Sequence, residues 1–316
     1  MNMKLAIVFP GQGSQKVGMM QSFTDDQTVR ETFEEARQSL VLEGLDLWSM
    51  IETGTADDLN ATVNTQPVML TSAYAMYRAW RAAGGPAGDV MAGHSLGEYT
   101  ALTAAGALAF ADAVPLVRFR AQAMQAAVPA GVGGMAAILG LEPAKVEAVC
   151  AQASSEGNEV VQAVNYNEPA QIVIAGHKGA VERACVLAKE AGAKRALPLP
   201  VSAPFHSSLL QPAADRLKER LATVNFLAPT IPVIHNCDVA RHAEPSAIRQ
   251  ALATQAAAPV RWIETIQAMQ RDGVTHVVEI GPSKVLQGLV KRIAPDVQAL
   301  SFSDAASLQP TLDALK

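Results

Sequence analysis

Short apolar runs of strand length alternate along the chain with longer stretches of helical composition. Leu5 to Phe9 reads as a buried strand that runs straight into PGQGSQKVG, a Gly-rich loop. A helix is expected from Val68 to about Ala83, with Pro67 suited to its first turn. Val90 to Ala92 is a brief strand ending at Gly93-His94-Ser95-Leu96-Gly97, and Glu98 to Ala109 then has helical composition. The order is strand, sharp turn, helix.

Between about Gly131 and Pro200 the texture changes. Met135 to Leu139 predicts a strand, Glu142 to Ala153 a helix, Val160 to Val164 and Ile172 to Ala175 a strand pair, Gly179 to Ala191 a helix and Ala196 to Leu199 a strand. That β-α-β-β-α-β order belongs to a ferredoxin-like unit. Beyond it Leu209 to Val224 is an amphipathic helix, Ile231 to His235 a strand, Trp262 to Arg271 a helix, His276 to Ile280 a strand and Lys284 to Ile293 a helix. The α/β alternation therefore resumes. The expected fold class is α/β: a large, α/β-hydrolase-like domain with a parallel-sheet core, built from residues 1–130 and 200–316, carrying an inserted ferredoxin-like α+β domain at 131–199.

Composition narrows the function classes. Of 316 residues, 49% are hydrophobic and 17% charged, which fits a globular enzyme with ample core rather than a disordered chain. The formal charge of −5, with no basic stripe bearing interleaved aromatics, argues against nucleic acid as a partner. Cys150, Cys185 and Cys237 lie far apart without a CxxC, so neither a disulfide framework nor a zinc site is expected. The N-terminal MNMKLAIVFPGQ lacks the apolar length of a secretory signal. The most apolar stretch, between Glu98 and Asp112, falls short of the ~20 residues that span a bilayer. A cytoplasmic protein without a membrane partner is expected.

The strongest chemical signal is GHSLGEY at 93–99, because G-x-S-x-G between a strand and a helix holds a serine at a tight elbow with its hydroxyl exposed. The alternative is that Ser95 merely caps the following helix. A nucleophile needs an oxyanion hole, and the elbow offers the Leu96 backbone N–H at a helix N-terminus. The loop Gly11-Gln12-Gly13-Ser14-Gln15 brings a second donor, the Gln12 N–H, if the first two strands are neighbours; otherwise it is only a turn. The base must come from His94, His177, His206, His235, His242 or His276. His206 ends the Pro-stiffened run Pro198-Leu199-Pro200-Val201-Ser202-Ala203-Pro204-Phe205, a sound place to hold an imidazole, although a lone histidine is more often structural. His94 adjoins the nucleophile, but its side chain should point away from that of Ser95.

These residues resemble the malonyl-CoA:acyl carrier protein transacylase family, related to the acyltransferase domains of fatty acid and polyketide synthases. The matching segments run in order over nearly the whole chain: FPGQGSQKVGM at 9–19, GHSLGEY at 93–99, RFRAQAMQAAVP at 118–129, GGMAAILG at 133–140, NYNEPAQIVIAG at 165–176, KRALPLPVSAPFHSSLLQPAA at 194–214, QAAAPVRW at 255–262 and EIGPSKVLQGLVKRI at 279–293. The resemblance implies that Ser95 is the acylated nucleophile and His206 its general base and acid. Gln255 would orient the imidazole through a carbonyl oxygen, with no acidic third member, and Gln12 and Leu96 would form the oxyanion hole. It further implies that Arg120 binds the malonyl carboxylate, for which a planar guanidinium fork is well matched. Arg118, two residues away and so on another face, is expected to be a solvated charge.

By the same resemblance Phe205 leaves little room for a methyl branch, and Asn165 faces the acyl-thioester cleft. Lys194, Arg195, Lys291 and Arg292 would lie near the cleft mouth, where they meet phosphates or the acidic carrier; basic clusters of this kind are otherwise solvated surface. The implied partners are malonyl-CoA and an acyl carrier protein with its phosphopantetheine arm. CoA is a product, no bound cofactor or metal is expected, and the chain is expected to be a monomer. The competing readings are a serine hydrolase, since G-x-S-x-G serves water as readily as a thiol, a non-catalytic carrier-binding module, and an acyltransferase of a polyketide synthase or a malonate decarboxylase.

Overall fold

The computed structural model describes residues 3–155, 158–201 and 203–316, so Ser202 of the run before His206 lies outside the described residues. The strands are β1 (Leu5–Phe9), β2 (Val90–Gly93), β3 (Gly133–Leu139), β4 (Val161–Glu168), β5 (Gln171–His177), β6 (Arg195–Pro198), β7 (Val233–Ile234), β8 (His276–Ile280) and β9 (Gln298–Phe302). They form a five-stranded sheet in the order β7-β2-β1-β8-β9 and a four-stranded sheet in the order β4-β5-β3-β6.

Every pairing in the five-stranded sheet is parallel. A parallel sheet must be covered on both faces, and the strand sequences show it. In β1 all five residues are buried. Leu5, Ile7 and Phe9 point into one apolar cluster, and Ala6 and Val8 into the other. Strand β9 was not expected: its exposed Gln298 and half-buried Leu300 and Ser301 blur the apolar run of an edge strand.

The four-stranded sheet is antiparallel throughout. Its two faces have different partners. Ala136 and Ile138 of β3 pack with Val146, Val149 and Cys150 of the helix Pro143–Ser155 and with Val181 and Ala184 of the helix Lys178–Glu190. Met135 and Ala137 face Met124, Phe205 and Leu210 on the other side. Strand β4 is tied to the segment leading into the helix Trp262–Arg271, where the Tyr166 N–H donates to the Val260 oxygen at 3.0 Å and the Val260 N–H to the Val164 oxygen at 2.8 Å.

Three expectations are corrected. The helix expected from Val68 begins earlier and spans Thr62–Ala82, with Pro67 inside it. Proline has no N–H, so the Val63 carbonyl loses its helical donor; Arg118 Nη1 supplies one at 2.8 Å and also reaches Asn64 Oδ1 at 3.1 Å. Arg118 is thus not a solvated charge: its side chain is only 15% exposed and also pairs with Glu43. The helix expected from Glu98 to Ala109 is a shorter one, Gly97–Ala104, that stops before Gly106 at φ 75°; a second helix, Phe110–Ala126, then carries Arg118 and Arg120.

Candidate active site

The site lies beyond the carboxyl ends of the parallel strands, where open α/β sheets place ligands. Neighbouring β1 and β2 lead into the Gly11–Gln15 loop and into the elbow. The two turns touch so closely that side chains are excluded: a Cβ on Gly97 would sit 2.1 Å from the Phe9 oxygen, and one on Gly11 2.4 Å from the His94 oxygen. The adjacency on which the Gln12 assignment depends is therefore met. Thr62 Oγ1 donates to Gln12 Oε1 at 2.8 Å, fixing that side chain against the start of the helix Thr62–Ala82. Among the described residues the Gln12 and Leu96 amides have no hydrogen-bond partner, and both residues line the cleft.

Ser95 and His206 both have positive φ, 52° and 64°. Non-glycine residues are held there at a local strain of about 1–3 kcal/mol. Ser95 Oγ lies 2.7 Å from His206 Nε2, and His206 Nδ1 lies 2.8 Å from the backbone oxygen of Gln255. Because a carbonyl only accepts, the proton sits on Nδ1 and Nε2 is left as acceptor towards the serine. Burial, followed by the charge of Arg120, pulls the His206 pKa down to about 3. The imidazole is therefore neutral at neutral pH, with the Nε2 lone pair turned to the serine hydroxyl.

Arg120 is 1% exposed. Its Nη1 donates to Gln66 Oε1 at 2.7 Å and its Nη2 to Gln255 Oε1 at 3.0 Å and Ser95 Oγ at 3.2 Å, while its face stacks over Tyr99 at 5.4 Å. Its Nε has no partner among the described residues. Burial lowers its pKa, although a guanidinium remains charged at neutral pH. The cation is held by neutral carbonyl oxygens, so its charge is available to an incoming anion.

These groups open onto a cleft of about 530 Å³ lined by Gln12, Gln66, His94, Ser95, Leu96, Arg120, Met124, Met135, Asn165, Val173, Phe205 and His206, among others. Phe205 is 9% exposed. Asn165 Oδ1 has no partner among the described residues. Lys194, Arg195, Lys291 and Arg292 are all exposed and stand outside this lining; Arg292 pairs with Glu168 at 2.7 Å.

The remaining histidines have other partners. His94 Nε2 meets Asn167 Oδ1 at 2.8 Å and its ring packs edge-on to Trp262; burial lowers its pKa. His177 Nδ1 accepts from the Val160 N–H, His242 pairs with Asp238, His276 meets Thr275, and His235 lies buried against Glu98. Three residues around the reacting groups were given no role by the sequence, Gln66, Glu98 and Asn236, and His235 figured only among the possible bases. Gln66 adjoins Pro67 and Glu98 follows the last glycine of the elbow, but only tertiary contacts connect them to Arg120 and Ser95.

An acyl transferase domain model matches residues 6–310. The chain is 50% identical over 310 residues to the malonyl CoA-acyl carrier protein transacylase of Salmonella typhimurium, covering 98% of this chain and 99% of that protein. The crystal structure of an acyl-carrier-protein S-malonyltransferase from Burkholderia pseudomallei superposes with a TM-score of 0.96 at 62% identity, covering 98% of this chain and all of the other. A malonyl-transacylase solved in complex with a type II PKS acyl-carrier protein superposes with a TM-score of 0.95 at 45% identity, covering 98% and 99% of the two chains. With this coverage and the elbow, histidine and buried guanidinium in one cleft, the chain belongs to the acyl transferase family, among the malonyl CoA-acyl carrier protein transacylases.

Proposed function

We propose that the protein transfers a malonyl group from malonyl-CoA to the phosphopantetheine thiol of an acyl carrier protein, through an ester on Ser95, in fatty acid synthesis. The observation that carries this reading is the position of Ser95 Oγ, between His206 Nε2 at 2.7 Å and Arg120 Nη2 at 3.2 Å. His206 takes the hydroxyl proton as Oγ attacks the thioester carbon, and the tetrahedral oxyanion is received by the Gln12 and Leu96 amides. The imidazolium then gives its proton to the departing CoA sulfur. In the second half-reaction His206 takes the proton of the carrier's thiol, the sulfur attacks the Ser95 ester, and the proton returns to Ser95 as the acyl group leaves.

Arg120 gives the reading its substrate class. Its fork accommodates a carboxylate bidentately, and the neutral carbonyls around it do not compete for the charge. A malonyl carboxylate there would also offset the guanidinium charge that helps hold His206 low, making the base stronger once the matching acyl group is bound. Both Phe205 and Asn165 line the cleft; in this reading Phe205 leaves little room for a methyl branch and Asn165 meets the thioester arm. Lys194, Arg195, Lys291 and Arg292 supply surface cations for the carrier or for CoA phosphates.

The test is product analysis with malonyl-CoA in the presence and absence of holo carrier. Malonyl-carrier formation with little free malonate is expected; release of malonate at a rate unaffected by the carrier would instead identify a hydrolase.

A further inference from the structure

Glu98 is fully buried, follows the nucleophile by one turn, and does not line the cleft. A carboxylate in such a place is tolerated only when its oxygens are well supplied with donors. Oε2 accepts from the Asn236 backbone N–H at 2.8 Å and from Gln255 Nε2 at 2.9 Å, and Oε1 meets His235 Nδ1 at 2.7 Å. Two of these partners go on to hold the reacting groups.

Asn236 grips the elbow from behind. Its Oδ1 accepts from the Ser95 N–H at 2.7 Å and its Nδ2 donates to the Gly93 oxygen at 2.8 Å, bracketing the turn in which Ser95 has φ 52°. A strained backbone persists when its surroundings over-determine it, and this clamp does so. Gln255 is the other arm. Its Nε2 donates to Glu98 and to the Ser95 oxygen at 3.0 Å, so its Oε1 must face the opposite way, where it accepts from Arg120 Nη2. Turning the amide over would set its oxygen against the carboxylate and its NH₂ against the guanidinium. The backbone oxygen of the same residue orients His206.

We propose that Glu98 is a positioning residue for the reaction: its carboxylate holds the Ser95 elbow through Asn236 and fixes the Arg120 guanidinium through the Gln255 amide. The inference rests on the malonyl-transfer reading above, and it makes the two arms separable. Asn236 acts on the nucleophile, which every acyl donor uses. The Gln255 side chain also reaches the Ser95 oxygen, but of the two arms it alone fixes the guanidinium, whose grip on a carboxylate only a carboxylate-bearing donor uses, so its loss shows in the ratio of the two donors.

The experiment is single-turnover acylation of Ser95 by malonyl-CoA and by acetyl-CoA, followed by rapid quench, on variants whose folding is checked by circular dichroism. Asn236→Ala should slow both donors about 10- to 100-fold and leave their ratio unchanged. Gln255→Leu, which keeps the backbone carbonyl, should lower the malonyl-to-acetyl ratio by roughly tenfold or more. Glu98→Gln should show both effects. A folded Glu98→Gln enzyme with wild-type rates and ratio, altered only in melting temperature, would overturn the proposal. If Glu98→Gln does not fold, the two arm variants decide: an unchanged rate in Asn236→Ala or an unchanged ratio in Gln255→Leu overturns it. Failure of the wild-type enzyme to acquire a malonyl group at Ser95 would instead overturn the functional reading.

Discussion

Arg118 and Arg120 leave the same helix two residues apart and enter opposite environments. At the outer face Arg118 meets a carboxylate, Glu43, and supplies the Val63 carbonyl that Pro67 leaves without a donor. At the inner face Arg120 is more deeply buried, yet the atoms its nitrogens touch are two glutamine oxygens and a serine hydroxyl. A guanidinium whose charge is met by protein is structural. One buried among neutral acceptors leaves its charge unmatched, and the place we propose for the matching anion is beside Ser95.

Three expected outcomes sharpen or break that contrast. Replacing Arg120 with Ala should weaken malonyl transfer by about 2–5 kcal/mol in kcat/KM while sparing or improving acetyl transfer. Equal losses with both donors would remove the carboxylate clamp. Replacing Arg118 with Ala should lower stability by about 1 kcal/mol, because the part-buried Val63 carbonyl loses its donor. Its malonyl-to-acetyl ratio should stay at the wild-type value, and a changed ratio in chemical-denaturation-checked samples would erase the distinction between the two arginines.

The smallest effect is in the pH dependence of folding. His206 is held near 3 when folded against an ordinary 6.5, so the unfolded chain binds a proton that the native protein refuses. Its contribution is present above 6.5 and is lost as pH falls towards 3, at no more than about 1.4 kcal/mol per pH unit. Arg120→Ala removes one cause of that depression, so the loss should end at a higher pH than in wild type. Arg118→Ala should leave the His206-dependent part unchanged. Urea titrations between these limits, each referenced to the corresponding His206→Ala background, read the difference.

The parallel sheet was legible because its strands are apolar on both faces, and the elbow because strand, Gly-x-Ser-x-Gly and helix are contiguous in sequence. The four-stranded unit was legible from its element order. The Gln12 placement was legible only conditionally, since it depends on β1 pairing with β2. What escaped depends on contacts between distant residues. Glu98 gains its meaning from partners 137, 138 and 157 positions away. Arg118 was misread because its carbonyl partner lies 55 residues earlier, behind a proline whose position in the helix was itself misplaced.

The most direct test of the account is to map the acyl group itself. After brief incubation with malonyl-CoA and no carrier, peptide mass spectrometry should find one malonyl ester, on Ser95, which disappears when holo carrier is added and never forms in Ser95→Ala. An ester on another residue, or an undiminished adduct in Ser95→Ala, would contradict it.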